Sequence, residues 1–236
     1  MEESGYKAHI ASLERENRIL KQKLARSEAN RVMLEEALET HWNALKVRNA
    51  ELEESRELIQ QSEAKFRTLA HYDVLTGLPN RILFQERLTQ AINHAKKYRT
   101  NIALLYIDLD QFKPINDNFG HEAGDNVLRE TANRLYSCIR NGDTVARIGG
   151  DEFAILLEVS PNYHDAGNMA ERILNNMDKP FILGDNSCKI SISIGISLYP
   201  HDADDMETLL QKADSAMYSI KKSSRNGYRF YQEFGA

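Results

Sequence analysis

The chain has 236 residues, 42% of them hydrophobic, enough for one well-buried domain with an appendage rather than two full-sized domains. A formal net charge of −5 excludes the broadly basic surface that binding a nucleic-acid polymer requires, so a nucleotide must be met by a local basic site. The cysteines Cys138 and Cys188 form no C-x-x-C pair, and no apolar run approaches the roughly 20 residues of a membrane span; a disulfide framework, a zinc site and a membrane segment are therefore not expected, and a reducing cytoplasm is.

Between Gly5 and Gly77 the chain contains neither glycine nor proline and is rich in Glu, Lys, Arg, Leu and Ala, which predicts one long helix over residues 1–70. A seven-residue repeat runs through it. Its first core position falls on Ile10, Asn17, Leu24, Arg31, Leu38, Leu45, Leu52, Ile59 and Phe66, and its second on Leu13, Leu20, Ser27, Leu34, His41, Arg48, Ser55, Ser62 and Leu69. Such a seam predicts a parallel dimeric coiled coil, with Asn17 fixing register. The polar residues His41, Arg48, Ser55 and Ser62 weaken its second half and would permit two competing registers, the bistable element that a signalling helix needs.

From Asn101 the pattern changes to strands alternating with amphipathic helices, an α/β or α+β layout over residues 71–236. Ile102 to Leu109 reads as a central strand that ends in Asp-Leu-Asp. A helical stretch follows from Pro114 to Ile139, with an irregular turn between Asn118 and Gly124. Val145 to Ile148 and Phe153 to Leu157 flank Gly149-Gly150-Asp151-Glu152, which suits a β-hairpin. Ile190, Ile192, Ile194 and Ile196 alternate with Ser191, Ser193, Gly195 and Ser197, giving a strand with one apolar and one small polar face. Helices near Ala166 to Asn176 and Met206 to Lys222, then a strand near Tyr228 to Phe230, complete the domain.

Two acidic clusters lie at predicted strand ends: Asp108 with Asp110, and Asp151 with Glu152. Hard carboxylate oxygens suit magnesium, which takes one or two protein carboxylates and leaves the rest of its shell to phosphates and water. Taken alone, a strand-end carboxylate is more often solvated surface, and two such clusters shift that balance only moderately. Lys113, Lys221 and Arg225 offer cations for phosphates, although the last two also suit a basic helix end favoured by the macrodipole. Arg140-Asn141-Gly142-Asp143 reads locally as a helix stop and turn.

Whole motifs say more than these fragments. Gly149-Gly150-Asp151-Glu152-Phe153 resembles the signature of the GGDEF family of nucleotidyl cyclases. Asp73-Val74-Leu75-Thr76-Gly77-Leu78-Pro79-Asn80-Arg81 is similar to that family's domain-opening motif, and Asp108-Leu109-Asp110-Gln111-Phe112-Lys113-Pro114-Ile115-Asn116-Asp117 to its metal and phosphate motif. With Gly120-His121 to Asp125 and Lys221 to Asn226, the resemblance covers residues 73 to about 230. It implies an α+β, palm-like and adenylyl-cyclase-like domain with a central, mostly antiparallel sheet, preceded by the coiled-coil helix. The implied activity is that of a diguanylate cyclase, a transferase that condenses two GTP molecules into cyclic di-GMP across a homodimer.

Carried over residue by residue, the resemblance implies that Asp108, the Leu109 carbonyl and Asp151 hold Mg2+, with Mn2+ as an alternative ion. Glu152 is then required for activity, beside the metal or as a helper in deprotonating the ribose 3′-hydroxyl. Asn116 and Asp125 read guanine, Phe112 contacts substrate, and Lys113, Lys221 and Arg225 clamp phosphates. Arg140 and Asp143 match the family's R-x-x-D product-inhibition motif for cyclic di-GMP, with Arg172 as a secondary contact. A catalytically silent domain, a cyclic GMP-AMP synthase and a coiled-coil scaffold are the alternatives. The intact acidic set speaks against the first and last, and Asp125, which stands where the hybrid synthases carry a smaller hydroxyl residue, against the second.

Overall fold

A computed structural model describes residues 2–159, 163–183 and 186–232; Met1 and residues 160–162, 184–185 and 233–236 lie outside the described residues. The chain divides into two units, Met1–Ala64 and Lys65–Ala236. Helix α1 (Glu2–His71) supplies all the described residues of the first and its last turns begin the second. Along the first unit, the apolar residues of the seven-residue seam from Ile10 to Ile59 are all exposed, at 46% for Leu45 and 66% for Leu38. A helix of this length gains nothing from such a stripe until it is covered.

The second unit is an α+β domain, as the sequence predicts. In chain order it contains α2 (Arg81–Tyr98), β1 (Asn101–Leu109), α3 (Phe112–Phe119), α4 (His121–Cys138), β2 (Thr144–Gly149), β3 (Glu152–Val159), α5 (His164–Met177), β4 (Phe181–Leu183), β5 (Asn186–Cys188), β6 (Ile192–Tyr199), α6 (Met206–Ser223) and β7 (Gly227–Phe230). The main sheet has the order β2-β3-β1-β6-β7. Every pairing in it is antiparallel except β6 with β7. The expected helical stretch from Pro114 is two helices, broken at Gly120, whose φ of 85° suits a residue without a Cβ.

β1 is central, and Ile102 to Leu109 are all buried because helices cover both faces. Ala103, Leu105, Ile107 and Leu109 pack with Val127, Leu135, Ile173 and Phe181 in one cluster. Ile102, Leu104 and Tyr106 pack with Phe84, Leu88, Leu209 and Met217 from α2 and α6 in the other. The period of two along a strand separates the sets. Helix α2 was not anticipated; its signal is Phe84, Leu88, Ile92 and Ala95 at helical spacing behind Asn80, which caps the helix by accepting from Leu83 N at 3.1 Å. The three-residue strands β4 and β5 were also missed, being too short to show a period.

Two contacts fix the helices on this sheet. Arg134 of α4 donates to the carbonyls of Lys179 (2.6 Å) and Pro180 (2.9 Å), pairs with Glu130 and lies 3.9 Å from the centroid of the Phe181 ring, so the segment after α5 is tied to α4. On the other face, α6 lies directly on the small residues of β6. A Cβ at Gly195 would fall 1.9 Å from the Ala213 carbonyl oxygen and 2.3 Å from Met217 N, both backbone atoms that cannot step aside. Gly195→Ala should therefore lift α6 from the sheet and cost about 3 kcal/mol in urea unfolding. A loss under about 0.5 kcal/mol would show that the helix does not sit this close.

Candidate active site

Asp108 is the penultimate residue of β1 and faces Glu152, the first residue of β3, directly across the antiparallel pair. The turn that joins β2 to β3 closes over the end of β1, where Leu109 N donates to the Asp151 carbonyl at 3.3 Å. Asp108 is 5% exposed. Lys221, in the last turn of α6, brings Nζ to 2.5 Å from Asp108 Oδ1. That buried oxygen has this ion pair but no hydrogen bond of good geometry among the described residues. Burial disfavours the charged carboxylate, and although Lys221 opposes the effect, Asp151 and Glu152 add like charge; the Asp108 pKa is pushed up to about 6.

Asp110, grouped with Asp108 on sequence, has a different role. It is buried and accepts hydrogen bonds from Ser191 Oγ (2.7 Å), Ser193 Oγ (2.8 Å) and Asn226 N (3.2 Å). It joins the end of β1 to β6 and to the turn after α6, and no oxygen is left facing Asp108's cluster without a partner. Lys221 and Arg225 do not share a basic helix end: α6 stops at Ser223, and Arg225 and Asn226 both adopt left-handed backbone (φ 51° and 45°). That turn is what brings Asn226 N to Asp110.

Two further residues were not found by sequence reasoning. Tyr106 donates to Glu152 Oε2 at 3.0 Å from the same face of β1 as Asp108. Its alternation with Asp108 was a usable signal, but only the register of β1 against β3 reveals the partner. Arg147 reaches Asp73 Oδ1 at 3.0 Å with Nη1 and the Gly150 carbonyl at 2.7 Å with Nη2. Asp73 also accepts from Thr76 N and Thr76 Oγ1. Burial works against the Asp73 charge, yet the bonds from Thr76 and Arg147 prevail and hold its carboxyl below the ordinary range. One guanidinium thus connects the turn after α1 to the glycine turn beside Asp151.

On the opposite side of the β1 end, α3 and α4 bring Asn116 against Gly124, the neighbour of Asp125. Phe112 is buried at the start of α3, Asn116 and Asp125 are half-buried, and Lys113 is exposed. Farther away, Arg140 to Asp143 form the expected turn after α4: Asp143 Oδ2 accepts from Arg140 N at 2.9 Å, and Gly142 has φ 109°. A cavity of about 540 Å³ brings Arg140 and Asp143 together with Tyr72, Arg87 and Tyr136. Arg172 does not line it; its guanidinium donates to the Cys138 carbonyl.

No group of three His, Cys, Asp or Glu side chains among the described residues is arranged to hold a metal ion. The donor set expected from the sequence is leaner, two carboxylates and a backbone carbonyl. It fits magnesium, which draws its other ligands from phosphates and water, and the like charge crowded around Asp108 is what a divalent cation would offset.

In the metal-free protein that crowding has a sign. Asp108 binds its proton more tightly folded than unfolded, so stability is lost as pH rises from 3.8 toward about 6, and the full cost is carried above that. Asp108→Asn should stabilise the metal-free protein by about 2–3 kcal/mol at pH 8 and by almost nothing below pH 4. Urea unfolding across this range checks it; equal gains at both pH values would rule out ionisation as the cause.

A family model described as "Diguanylate cyclase, GGDEF domain" matches residues 70–227. The chain is 44% identical over 180 residues to diguanylate cyclase TpbB of Pseudomonas aeruginosa, a match covering 76% of this chain and 41% of that protein, so the chain spans about two fifths of this relative's length. The crystal structure of the TpbB GGDEF domain has a TM-score of 0.65 at 43% identity, covering 67% of this chain and 99% of that one. The coiled coil and GGDEF domain of DgcB from Caulobacter crescentus, solved with c-di-GMP, has a TM-score of 0.71 at 26% identity, covering 79% and 98%. With the strand-end carboxylates, the glycine turn and these matches in agreement, the chain belongs to the GGDEF family.

Proposed function

We propose that this chain is a diguanylate cyclase that condenses two GTP molecules into cyclic di-GMP and two pyrophosphates across a homodimer, in the cytoplasm, where GTP is supplied. The observation that carries the reading is the carboxylate group at the end of β1: Asp108 buried, facing Glu152 across the sheet, coupled to Asp151 and ion-paired to Lys221.

In this reading Asp108, the Leu109 carbonyl and Asp151 hold Mg2+ or Mn2+. The ion supplies Lewis-acid polarisation of phosphate oxygens and a lowered pKa for a nearby hydroxyl. Glu152, its Oε2 fixed by Tyr106, lies beside the attacking 3′-hydroxyl and helps to remove its proton. Asn116 and Asp125 read the guanine edge, whose two N–H donors a carboxylate accepts together, and Phe112 packs against the nucleotide. Lys113, Lys221 and Arg225 offset charge on the phosphates and on the departing pyrophosphate. Each 3′-oxygen bonds to the α-phosphorus of the GTP in the other protomer as the bond to pyrophosphate breaks, so two half-sites must face each other.

The exposed seam of α1 supports a parallel coiled-coil dimer, since each buried leucine contributes about 1.5–3 kcal/mol. Such a dimer raises the local concentration of half-sites and provides a route for regulation. The turn carrying Arg140 and Asp143 beside its cavity supports a site for inhibitory cyclic di-GMP built on those two residues, without Arg172, whose guanidinium is held at the Cys138 carbonyl.

The protein, freed of carried-over nucleotide and incubated with GTP and Mg2+, should yield cyclic di-GMP by chromatography, and Glu152→Gln should lower the rate on the order of 100-fold or more. Absence of product from a confirmed dimer would leave a nucleotide-binding domain without catalysis. Leu24→Lys with Leu38→Lys should give monomers by analytical ultracentrifugation and a rate that depends on the square of protein concentration. A dimer that survives both changes would place its interface elsewhere.

A further inference from the structure

Gly124 and Gly120 are glycines for different reasons. Gly120 has φ 85° and nothing within 4 Å of where a Cβ would stand, so its backbone alone demands glycine. Gly124 is buried in the opening turns of α4, where the backbone is helical and any residue could adopt it. A glycine inside a helix is less favourable than alanine, and something at this site must offset that cost. The space around it shows what. A Cβ on Gly124 would lie 1.9 Å from Asn116 Oδ1, 2.9 Å from Asn116 Cγ and 3.2 Å from Phe112 Cζ. The Asn116 carboxamide therefore occupies the volume that any other residue at position 124 would fill.

This carboxamide forms no side-chain hydrogen bond to any described residue, so no polar partner fixes its orientation. Shape does: the Phe112 ring and the bare Cα of Gly124 are its walls. From these observations we infer that Gly124 is a specificity-positioning residue, whose missing side chain seats the Asn116 amide on the purine edge next to Asp125. The inference rests on reading Asn116 and Asp125 as the guanine-recognition pair. The crowded atoms are the far end of a half-buried side chain, so a methyl group at position 124 would be accommodated by swinging Asn116 away while the helix stays intact. The protein would keep its fold and lose an aligned hydrogen-bonding group.

The test compares wild type, Gly124→Ala, Asn116→Ala and the double variant. The readouts are thermal unfolding, the 15N-detected side-chain amide signal of Asn116, and steady-state kinetics with GTP and with ITP, which lacks the 2-amino group. Gly124→Ala should unfold at the same or a higher temperature and shift the Asn116 amide signal. Its KM for GTP should rise about tenfold with kcat within threefold, and its preference for GTP over ITP should fall by a similar factor. Added to Asn116→Ala, it should change little further, because both act through one group. A Gly124→Ala protein with wild-type KM and wild-type GTP preference overturns the inference, as does a fall in melting temperature that accounts for the lost activity. Failure of the wild type to bind or turn over GTP would instead remove the guanine reading on which it rests.

Discussion

Asp108 sits at the end of a strand that is packed on both faces, with an acidic residue opposite it and another on the adjoining turn. A carboxylate in that setting cannot ionise as it does in water, and the neighbouring structure is arranged around that fact. Lys221 arrives from α6 to balance the charge, which requires α6 to lie flat on β6, which in turn requires Gly195 in place of any residue with a side chain. The β2–β3 turn must close over the strand end to bring Asp151 near, and Arg147 holds that turn by its Gly150 carbonyl. Stability is given up at this one point, where like charge is concentrated at the strand end.

Asp110 and Arg147 make this arrangement stiff. Each is a polar residue that accepts or donates several well-formed bonds to segments distant in sequence: Asp110 to β6 and to the left-handed turn after α6, Arg147 to the turn after α1 and to the glycine turn. Buried or half-buried polar groups with satisfied bonds fix a unique geometry better than apolar packing does, since a shifted partner leaves an unpaired group out of water. The bond from Arg147 to Asp73 also ties the turn that follows α1 to the turn beside Asp151.

The two strand-adjacent clusters illustrate how far residue type alone can mislead. Asp108 and Asp110 are both aspartates at the end of the same apolar run, yet one is left with an ion pair and raised pKa while the other is saturated by two serine hydroxyls and a backbone N–H. Gly120 and Gly124 show the same divergence: one answers a backbone demand, the other the shape of a neighbouring side chain.

By itself the sequence determined the long helix and its heptad seam, the strands β1, β3 and β6, the helices α5 and α6, and the motifs that identify the family, because each is a local periodicity or a contiguous string. Helix α2 is legible in Phe84, Leu88, Ile92 and Ala95, apolar residues at helical spacing. Only the tertiary structure decided that Tyr106 meets Glu152, that Arg147 joins Asp73 to Gly150, that Asp110 leaves the acidic cluster, that Arg225 lies beyond its helix, and that Gly124 makes room for Asn116. These pairings depend on sheet register, on helix-to-sheet spacing and on where a helix stops. Those quantities are set by the simultaneous packing of distant segments, which no local window of sequence contains.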